Sequence, residues 1–180
     1  MESIVALAGR RIDLANANPE RFPARNLERV RRAVQLKLRE NRASWLVSSA
    51  AAGADLIGIH AAVDLGLHCR IVLSPNVEEF MHKSVEDRGP EWEKEFRLVL
   101  AATRADDIIL VPECSADSDT FKAVNQRILS ETIALALLTF SKPICIAAWE
   151  GVKREGEDFT ADFIERAGAL KIPVVRVSTV

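Results

Sequence analysis

The chain has 180 residues, of which 48% are hydrophobic and 28% charged, a composition typical of a globular protein with one sizeable core. Its formal net charge of −2 excludes the global positive field that attracts a nucleic-acid backbone. No apolar run reaches membrane-spanning length and no signal peptide opens the chain, so we expect a cytoplasmic protein with no membrane partner. We expect a single domain over residues 1–180.

Apolar runs alternate with helical patterns along the whole chain. The runs are continuous rather than alternating, which indicates strands covered on both faces. Repeated β-α units predict an α/β, Rossmann-like, doubly wound and mainly parallel sheet of about six strands with helices on both faces. The predicted strands are Ile4–Ala8, Trp45–Val47, Cys69–Leu73, Ile108–Val111, Ile144–Ala148 and Val174–Val177. The predicted helices are Arg25–Asn41, Ala54–Leu65, Glu91–Arg104, Thr120–Phe140 and Asp158–Ala169.

Two segments, Arg10–Ala24 and Ser74–Pro90, show no regular pattern, and each follows a predicted strand. Long loops in compact α/β domains are often functional. Because a doubly wound sheet binds ligands outside the carboxyl ends of its strands, the loops that follow the strands are the expected site. These loops are Gly9–Asp13, Ser48–Asp55, Ser74–Ser84, Pro112–Thr120 and Trp149–Thr160.

The sequence AGRRID ends the first strand. A glycine there permits close approach of a ligand, and the guanidinium groups of Arg10 and Arg11 suit a phosphate. Asp13 is placed to orient an arginine or to accept a hydrogen bond from a ribose hydroxyl. The alternative is an exposed charged loop with an Arg–Asp pair. Gly9, Arg10, Arg11 and Asp13 are therefore predicted ligand-binding residues.

A turn of small residues, SSAAAG, joins the second strand to a helix that begins near Ala54. The free N–H groups and the dipole of a helix N-terminus favour an anion, and the hydroxyl groups of Ser48 and Ser49 suit phosphate oxygens. Gly53 and Ala54 allow close approach, and we expect any bound phosphate at this turn. For Asp55 we favour a helix-capping or ribose-binding role. The alternative is a tight turn packed under a neighbouring loop.

The loop after the fifth strand carries three further predicted ligand-binding residues. Trp149 is placed to stack on a base, Gly151 loosens the loop, and Thr160 suits a helix cap or a phosphate ligand. The alternative for Trp149 is a hydrophobic lid over the sheet edge. Glu113 and Asp117, after the fourth strand, are acid/base candidates, but their spacing favours a solvated acidic loop.

The motifs of the common α/β enzymes are absent from the sequence. It contains no GxGxxG fingerprint, no Walker lysine and no GxSxG nucleophile elbow. The histidines show no metal-ligand spacing with each other or with cysteine, so we expect neither a metal nor a cofactor. Buried thiols in a reducing cytoplasm are the favoured interpretation of Cys69, Cys114 and Cys145.

The predicted helix Thr120–Phe140 carries more apolar residues than a single core-facing stripe requires. This excess predicts a homo-oligomer. The alternative is that the domain itself covers this helix on both sides. The apolar residues are Phe121, Val124, Ile128, Ile133, Ala134, Ala136, Leu137, Leu138 and Phe140.

Short motifs follow one another along the chain: AGRRID, SSAAAGAD, LSPNVEEFMHKSV, Trp92 with Phe96, AVNQ and AWEGVKREGEDFTADF. Their order resembles the SLOG superfamily, which unites Smf/DprA-type and lonely-guy-type Rossmann-like domains, and the nucleotide-sensing branch of bacterial signalling and defence systems in particular. The resemblance implies a domain that binds a nucleotide-derived small molecule, such as a cyclic or ADP-ribose-type signal. A fused or associated effector would then read its occupancy. The chain is compatible with a complete small protein and with an excised domain.

The sequence also departs from the family pattern. Arg10 stands where members usually have His, Glu150 replaces Asp, and Asp158-Phe159-Thr160 replaces Gly-Gly-Thr. Phe159 removes backbone access and so disfavours phosphate binding at that loop. The lonely-guy motif Pro-Gly-Gly-x-Gly-Thr-x-x-Glu has no counterpart, which favours binding over hydrolysis.

Two alternatives stay open. The first is a lonely-guy-like phosphoribohydrolase that cleaves the N-glycosidic bond of a nucleoside 5′-monophosphate. Glu113 or Asp117 would then stabilise the ribosyl centre, and Arg10 and Arg11 would hold the phosphate. The second is Smf/DprA-like binding of single-stranded DNA, which the pI of about 6.0 disfavours.

Overall fold

The structure, a computed structural model, describes residues 1–114 and 116–180. Its strands form where the sequence has apolar runs, and the central strand is buried on both faces. In chain order the strands are β1 (Ser3–Gly9), β2 (Ala43–Ser48), β3 (His68–Leu73), β4 (Ile108–Leu110), β5 (Lys142–Ala148) and β6 (Val174–Val177). They form one parallel sheet in the order β4-β3-β2-β1-β5-β6, which confirms the predicted six-stranded parallel sheet.

The helices lie on both faces of the sheet, as predicted, and alternate residues of β1 separate two cores. Val5 and Leu7 pack with the four helices between residues 27 and 102, whereas Ile4 and Ala6 pack with the helices at residues 117–138 and 159–169. The helices are α1 (Leu27–Glu40), α2 (Ala54–Asp64), α3 (Val77–Ser84), α4 (Pro90–Ala102), α5 (Asp117–Leu138) and α6 (Phe159–Ala169). The fold is therefore α/β and Rossmann-like.

One prediction about regular structure was wrong. The segment Ser74–Pro90 was expected to lack a regular pattern, but it contains the eight-residue helix α3. The helix begins because the Asn76 side chain accepts a hydrogen bond of 3.1 Å from the N–H of Glu79. It is held because Phe80 and Met81 are buried in the core. A helix this short completes too few turns for its period to be read from sequence.

The strand order sets the place of the site. From β1 the chain adds β2, β3 and β4 on one side, then crosses to the other side to add β5 and β6. The connections after β1 and β5 therefore diverge, and a crevice opens at the carboxyl ends of these two strands. Gly9 ends β1 at this point, where a Cβ atom would come within 2.5 Å of the Ala148 carbonyl oxygen and of Ala54 Cβ. The start of α2 thus packs directly on the end of the central strand.

Candidate functional site

A cavity of about 840 Å³ opens at the carboxyl ends of β1 and β2, next to the first turns of α5 and α6. Its lining combines cationic, apolar and acidic side chains. The rings of Phe121 and Phe159 lie with centroids 5.0 Å apart. The cationic residues are Arg10, Arg11, Arg21, Lys83, Arg88 and Arg154, the larger apolar ones are Ile12, Leu14, Phe80, Phe121, Val124, Ile128 and Phe159, and the acidic ones are Asp13, Asp55 and Glu157.

Arg10 is the most heavily bonded side chain of the site, and it is only 3% exposed. Its Nε atom donates to Glu150 Oε2 at 2.7 Å, and its Nη1 atom donates to Asp158 Oδ1 at 2.6 Å. Its Nη2 atom adds contacts to both carboxylates and to the Val152 carbonyl oxygen. The guanidinium also lies over the Trp149 ring, 5.5 Å from its centroid. The side chain of Arg10 therefore links the end of β1 to the loop that follows β5.

Asp158 joins this arrangement to α6. Its Oδ1 atom accepts from the N–H of Ala161 at 3.0 Å, and its Oδ2 atom accepts from the N–H of Arg154 at 2.8 Å. Burial would raise the pKa of Asp158, but the Arg10 guanidinium and these two N–H groups hold it well below its usual value. Helix N-termini often bind anions, and at the start of α6 this position is occupied by the carboxylate of Asp158.

The arginines around the cavity outnumber the carboxylates that pair with them. Glu150 bonds Arg10 and also Arg21. Asp158 bonds Arg10 and lies 3.9 Å from Arg154 Nε. Asp87 bonds Arg11 and lies 3.1 Å from Arg88 Nη1. We call this set the arginine network: the guanidinium groups of Arg10, Arg11, Arg21, Arg88 and Arg154 with the carboxylates of Asp87, Glu150 and Asp158.

The turn before α2 is tied to the chain by its own backbone. The N–H of Ala54 donates to the Arg10 carbonyl oxygen at 3.0 Å, and the N–H of Ile12 donates to the Ala52 carbonyl oxygen at 2.9 Å. Gly53 has φ +131°, and a Cβ there would come within 2.6 Å of the Arg10 carbonyl oxygen. Ser48 is fully buried and donates to the Leu7 carbonyl oxygen at 2.9 Å. These contacts give this turn a clear structural role.

Asp55 and Ser49 line the cavity, and each has a buried oxygen atom without a hydrogen-bond partner among the described residues. Asp55 Oδ1 and Ser49 Oγ have no hydrogen-bond partner among the described residues, although each residue is only 7% exposed. Asp55 Oδ2 lies 3.4 Å from the N–H of Ala51. Burial raises the pKa of Asp55 to about 7, against the opposing effect of the Ala51 and Gly9 N–H groups and of Arg11. Unpaired buried polar atoms of this kind favour a ligand that supplies the missing hydrogen bonds.

Most of the predicted ligand-binding residues meet at this cavity. Five predicted residues are absent from its lining, and Trp149 among them has Arg10 over its ring. Glu113 and Asp117 line a neighbouring pocket of about 190 Å³, where Asp117 bonds Lys83. The predicted residues in the lining are Gly9, Arg10, Arg11, Asp13, Ser49, Asp55 and Thr160. Those outside it are Ser48, Gly53, Ala54, Trp149 and Gly151.

Sequence reasoning missed Arg21, Arg88 and Arg154, together with the aromatic residues of the lining. Arg88 and Arg21 lie in the two segments that were expected to be functional loops, so their location was indicated but their role was not. Asp13 explains why the first of these segments folds back on the site. Its Oδ2 atom accepts from the N–H groups of Arg21 and Phe22 at 2.8 and 2.9 Å.

Within residues 1–114 and 116–180, no group of three or more His, Cys, Asp or Glu side chains is arranged to hold a metal ion. Cys145 is buried, Cys69 is half-buried and Cys114 is exposed, so the expectation of buried thiols is wrong for Cys114. No helix in the part of the chain that the structure describes is long and apolar enough to cross a membrane.

Comparison with known proteins gives structural similarity of low degree. No protein-family model matches the chain, and no curated protein does. Among solved structures, DNA processing protein A (DprA) from Streptococcus pneumoniae is similar with a TM-score of 0.44 and 16% identity. The similarity covers 97% of this chain, which spans 58% of the length of that protein. At this level no conclusion about activity follows.

We expect Asp55 to give the protein an unusual dependence of stability on pH. Its pKa is raised in the folded chain, so between its unfolded value of 3.8 and about 7 the folded state binds more protons. The free energy of unfolding therefore falls as pH rises through this window, by up to about 1.4 kcal/mol per pH unit.

Urea unfolding across this window measures the effect. Asp55→Asn removes the titrating group and should flatten the profile. Asp106→Asn, which changes a side chain that is 91% exposed, is the matched control and should keep the wild-type slope. Identical profiles for the wild-type and Asp55→Asn proteins would contradict the prediction.

Proposed function

We propose that the chain binds a nucleotide-derived small molecule in the cavity and acts as a cytoplasmic ligand sensor in bacterial signalling or defence. One observation supports this most: cationic, aromatic and unpaired hydrogen-bonding groups line the same cavity. Its volume of about 840 Å³ lies within the range of roughly 300–1,000 Å³ typical of small-molecule sites. The resemblance of the motif order to SLOG domains supports the same class of ligand.

Each part of a nucleotide has a matching group in the lining. Phosphate oxygens suit the guanidinium groups, and a base suits the aromatic surface of Phe80, Phe121 and Phe159. Ribose hydroxyl groups suit Asp55 and Ser49, whose free oxygen atoms can accept hydrogen bonds. This distribution supports a ligand that carries a phosphate, a sugar and a base.

Binding without hydrolysis is the function that the acidic residues support best. Glu113 is exposed, and Asp117 is bonded to Lys83 in the neighbouring pocket. Neither lines the main cavity, so a phosphoribohydrolase would have to use an acidic residue of the lining, of which Asp55 is the buried one. Chromatography of nucleoside 5′-monophosphates incubated with the protein tests this alternative. If the wild-type protein releases free base and the Asp55→Ala variant does not, the protein is an enzyme and the sensor proposal is overturned.

Single-stranded DNA is the other alternative ligand. A DNA-binding site needs an extended cationic groove with stacking residues along it, whereas the aromatic residues here line a cavity. Fluorescence anisotropy with a labelled oligonucleotide should show no saturable binding at moderate salt. Saturable binding that mononucleotides do not displace would support the DNA alternative instead.

We also propose that the protein self-associates through the carboxyl end of α5. Val124, Ile128 and Leu135 are buried, so most of the helix is covered within the domain. Leu137, Leu138 and Phe140 are 72%, 76% and 89% exposed, and the apolar excess is concentrated there. A dimer formed by these residues would connect ligand occupancy to a fused or associated effector if the two states favour different pairings.

Light scattering at micromolar concentration tests this self-association. We expect a dimer of the wild-type chain and a monomer of the double variant Leu138→Ser, Phe140→Ser, because these substitutions remove exposed apolar surface. Leu36→Ser, at a residue of α1 that is 53% exposed, is the control and should stay dimeric. A monomeric wild-type chain with and without nucleotide would contradict the proposal.

The sugar contact gives the sharpest test of nucleotide binding. We expect AMP to bind about tenfold or more tightly than 2′,3′-dideoxy-AMP, because loss of the hydroxyl groups leaves Asp55 and Ser49 unpaired. Asp55→Ala should weaken AMP binding and remove this discrimination, as measured by isothermal titration calorimetry. Asp106→Asn should retain both properties. Equal affinity of the wild-type protein for the two nucleotides would contradict the assigned role of Asp55.

A further inference from the structure

Arg11 and Arg88 have buried guanidinium nitrogen atoms that make no hydrogen bond. These are Nε of Arg11 and both Nε and Nη1 of Arg88, none of which has a hydrogen-bond partner among the residues described, although Arg88 Nη1 lies in an ion pair 3.1 Å from Asp87. Both side chains line the cavity, and they are 30% and 14% exposed. Hydrogen-bond donors removed from water without a partner are costly, and more so on charged groups. The two arginines therefore fit a binding partner that brings its own acceptors.

The backbone holds these two arginines in place before any ligand arrives. Arg11 pairs with Gly53 in an antiparallel bridge next to the start of α2. Arg88 ends a short 3-10 turn, Glu86–Arg88, and its backbone N–H donates to the Val85 carbonyl oxygen at 3.0 Å. Val85 is fully buried, and the neighbouring Ser84 carbonyl oxygen accepts from Ala52 at 3.0 Å. The backbone segments that carry Arg11 and Arg88 are therefore both hydrogen-bonded to the turn that precedes α2.

The charge at this point is incompletely balanced. Asp87 is the carboxylate that both arginines contact, through a bond to Arg11 and at 3.1 Å from Arg88 Nη1. Burial and the charge of Arg88 lower the pKa of Arg11, with Arg154 adding to the repulsion and Asp87 opposing it. Asp55 also faces Arg11 from α2. Two guanidinium groups held together on one carboxylate favour a further anion.

Several other cationic and dipolar groups near the cavity are already hydrogen-bonded within the chain. Arg10 makes five hydrogen bonds to Glu150, Asp158 and the Val152 carbonyl oxygen. Lys83 donates to Glu79 and to Asp117, at 2.6 Å in each case. The start of α6 is capped by Asp158, and the first N–H of α2 donates to the chain itself. Among the cavity cations, Arg11 and Arg88 are the ones with buried nitrogen atoms that lack a hydrogen-bond partner among the described residues, whereas Arg154 is 43% exposed and lies 3.9 Å from Asp158.

We propose that Arg11 and Arg88 form the anion subsite of the cavity and bind the phosphoryl group of the ligand through their unpaired nitrogen atoms. This inference rests on the proposed function for the identity of the ligand but not for the subsite. The anion is a phosphate monoester or a diphosphate, because two guanidinium forks offer several donors to clustered oxygen atoms. The phosphoryl group is then bound by side chains, and the turn before α2 only positions Arg11.

The probes are inorganic pyrophosphate and AMP, each titrated by calorimetry into the full chain. Arg88→Gln and Arg11→Gln should each weaken binding of both probes by about tenfold or more, since each removes a charged set of donors. Arg88→Lys should retain part of the affinity because it keeps the charge but not the planar fork. Arg97→Gln, at an exposed residue of α4 paired with Glu93 and Glu78, is the matched control and should bind as the wild type does.

The outcomes separate the subsite from the proposed function. If AMP binds and neither glutamine variant weakens it, this proposal is overturned while nucleotide binding stands. If pyrophosphate binds through Arg11 and Arg88 but AMP does not bind, the subsite stands and the proposed function fails. If neither probe binds, both are overturned. Thermal unfolding of each variant identifies misfolding, and Arg88→Lys then decides the result if a glutamine variant fails to fold.

Discussion

The buried guanidinium of Arg10 is the interaction on which the rest of the site depends. It joins the end of β1 to Glu150, after β5, and to Asp158, at the start of α6. A buried charge is tolerable only when it is paired, and removal of one partner from such a pair typically costs about 3–5 kcal/mol. The loop from Trp149 to Asp158 is therefore held against the central strand, and it forms one wall of the crevice that the strand order opens.

This interaction also determines which groups are left for a ligand. Asp158 occupies the start of α6 and lies against Arg10, so an internal carboxylate takes the place that an external anion takes in many α/β proteins. Arg10 is far from Glu150 and Asp158 in the sequence, but the three side chains form a single hydrogen-bonded cluster. With the start of α6 occupied in this way, Arg11 and Arg88 are the cavity cations with buried nitrogen atoms that lack a hydrogen-bond partner among the described residues.

Much of the fold could be predicted from sequence because the apolar runs of the strands are local signals. The short helix α3 was missed because its cap and its two buried side chains fall within one or two turns. The site was predictable in location but not in pairing. Arg10 and its carboxylate partners are 140 and 148 residues apart, so no spacing in the sequence connects them. The surroundings of Arg88 depend in the same way on tertiary contacts.

A crystal structure of the protein with AMP or pyrophosphate bound is the most direct test of this account. Phosphate oxygens should lie within about 3 Å of the Arg11 and Arg88 guanidinium nitrogens, with Arg10 still bonded to Glu150 and Asp158. A phosphate bound at the start of α6, with Asp158 displaced from Arg10, would contradict it. So would a cavity that holds no ordered anion at saturating concentrations of both compounds.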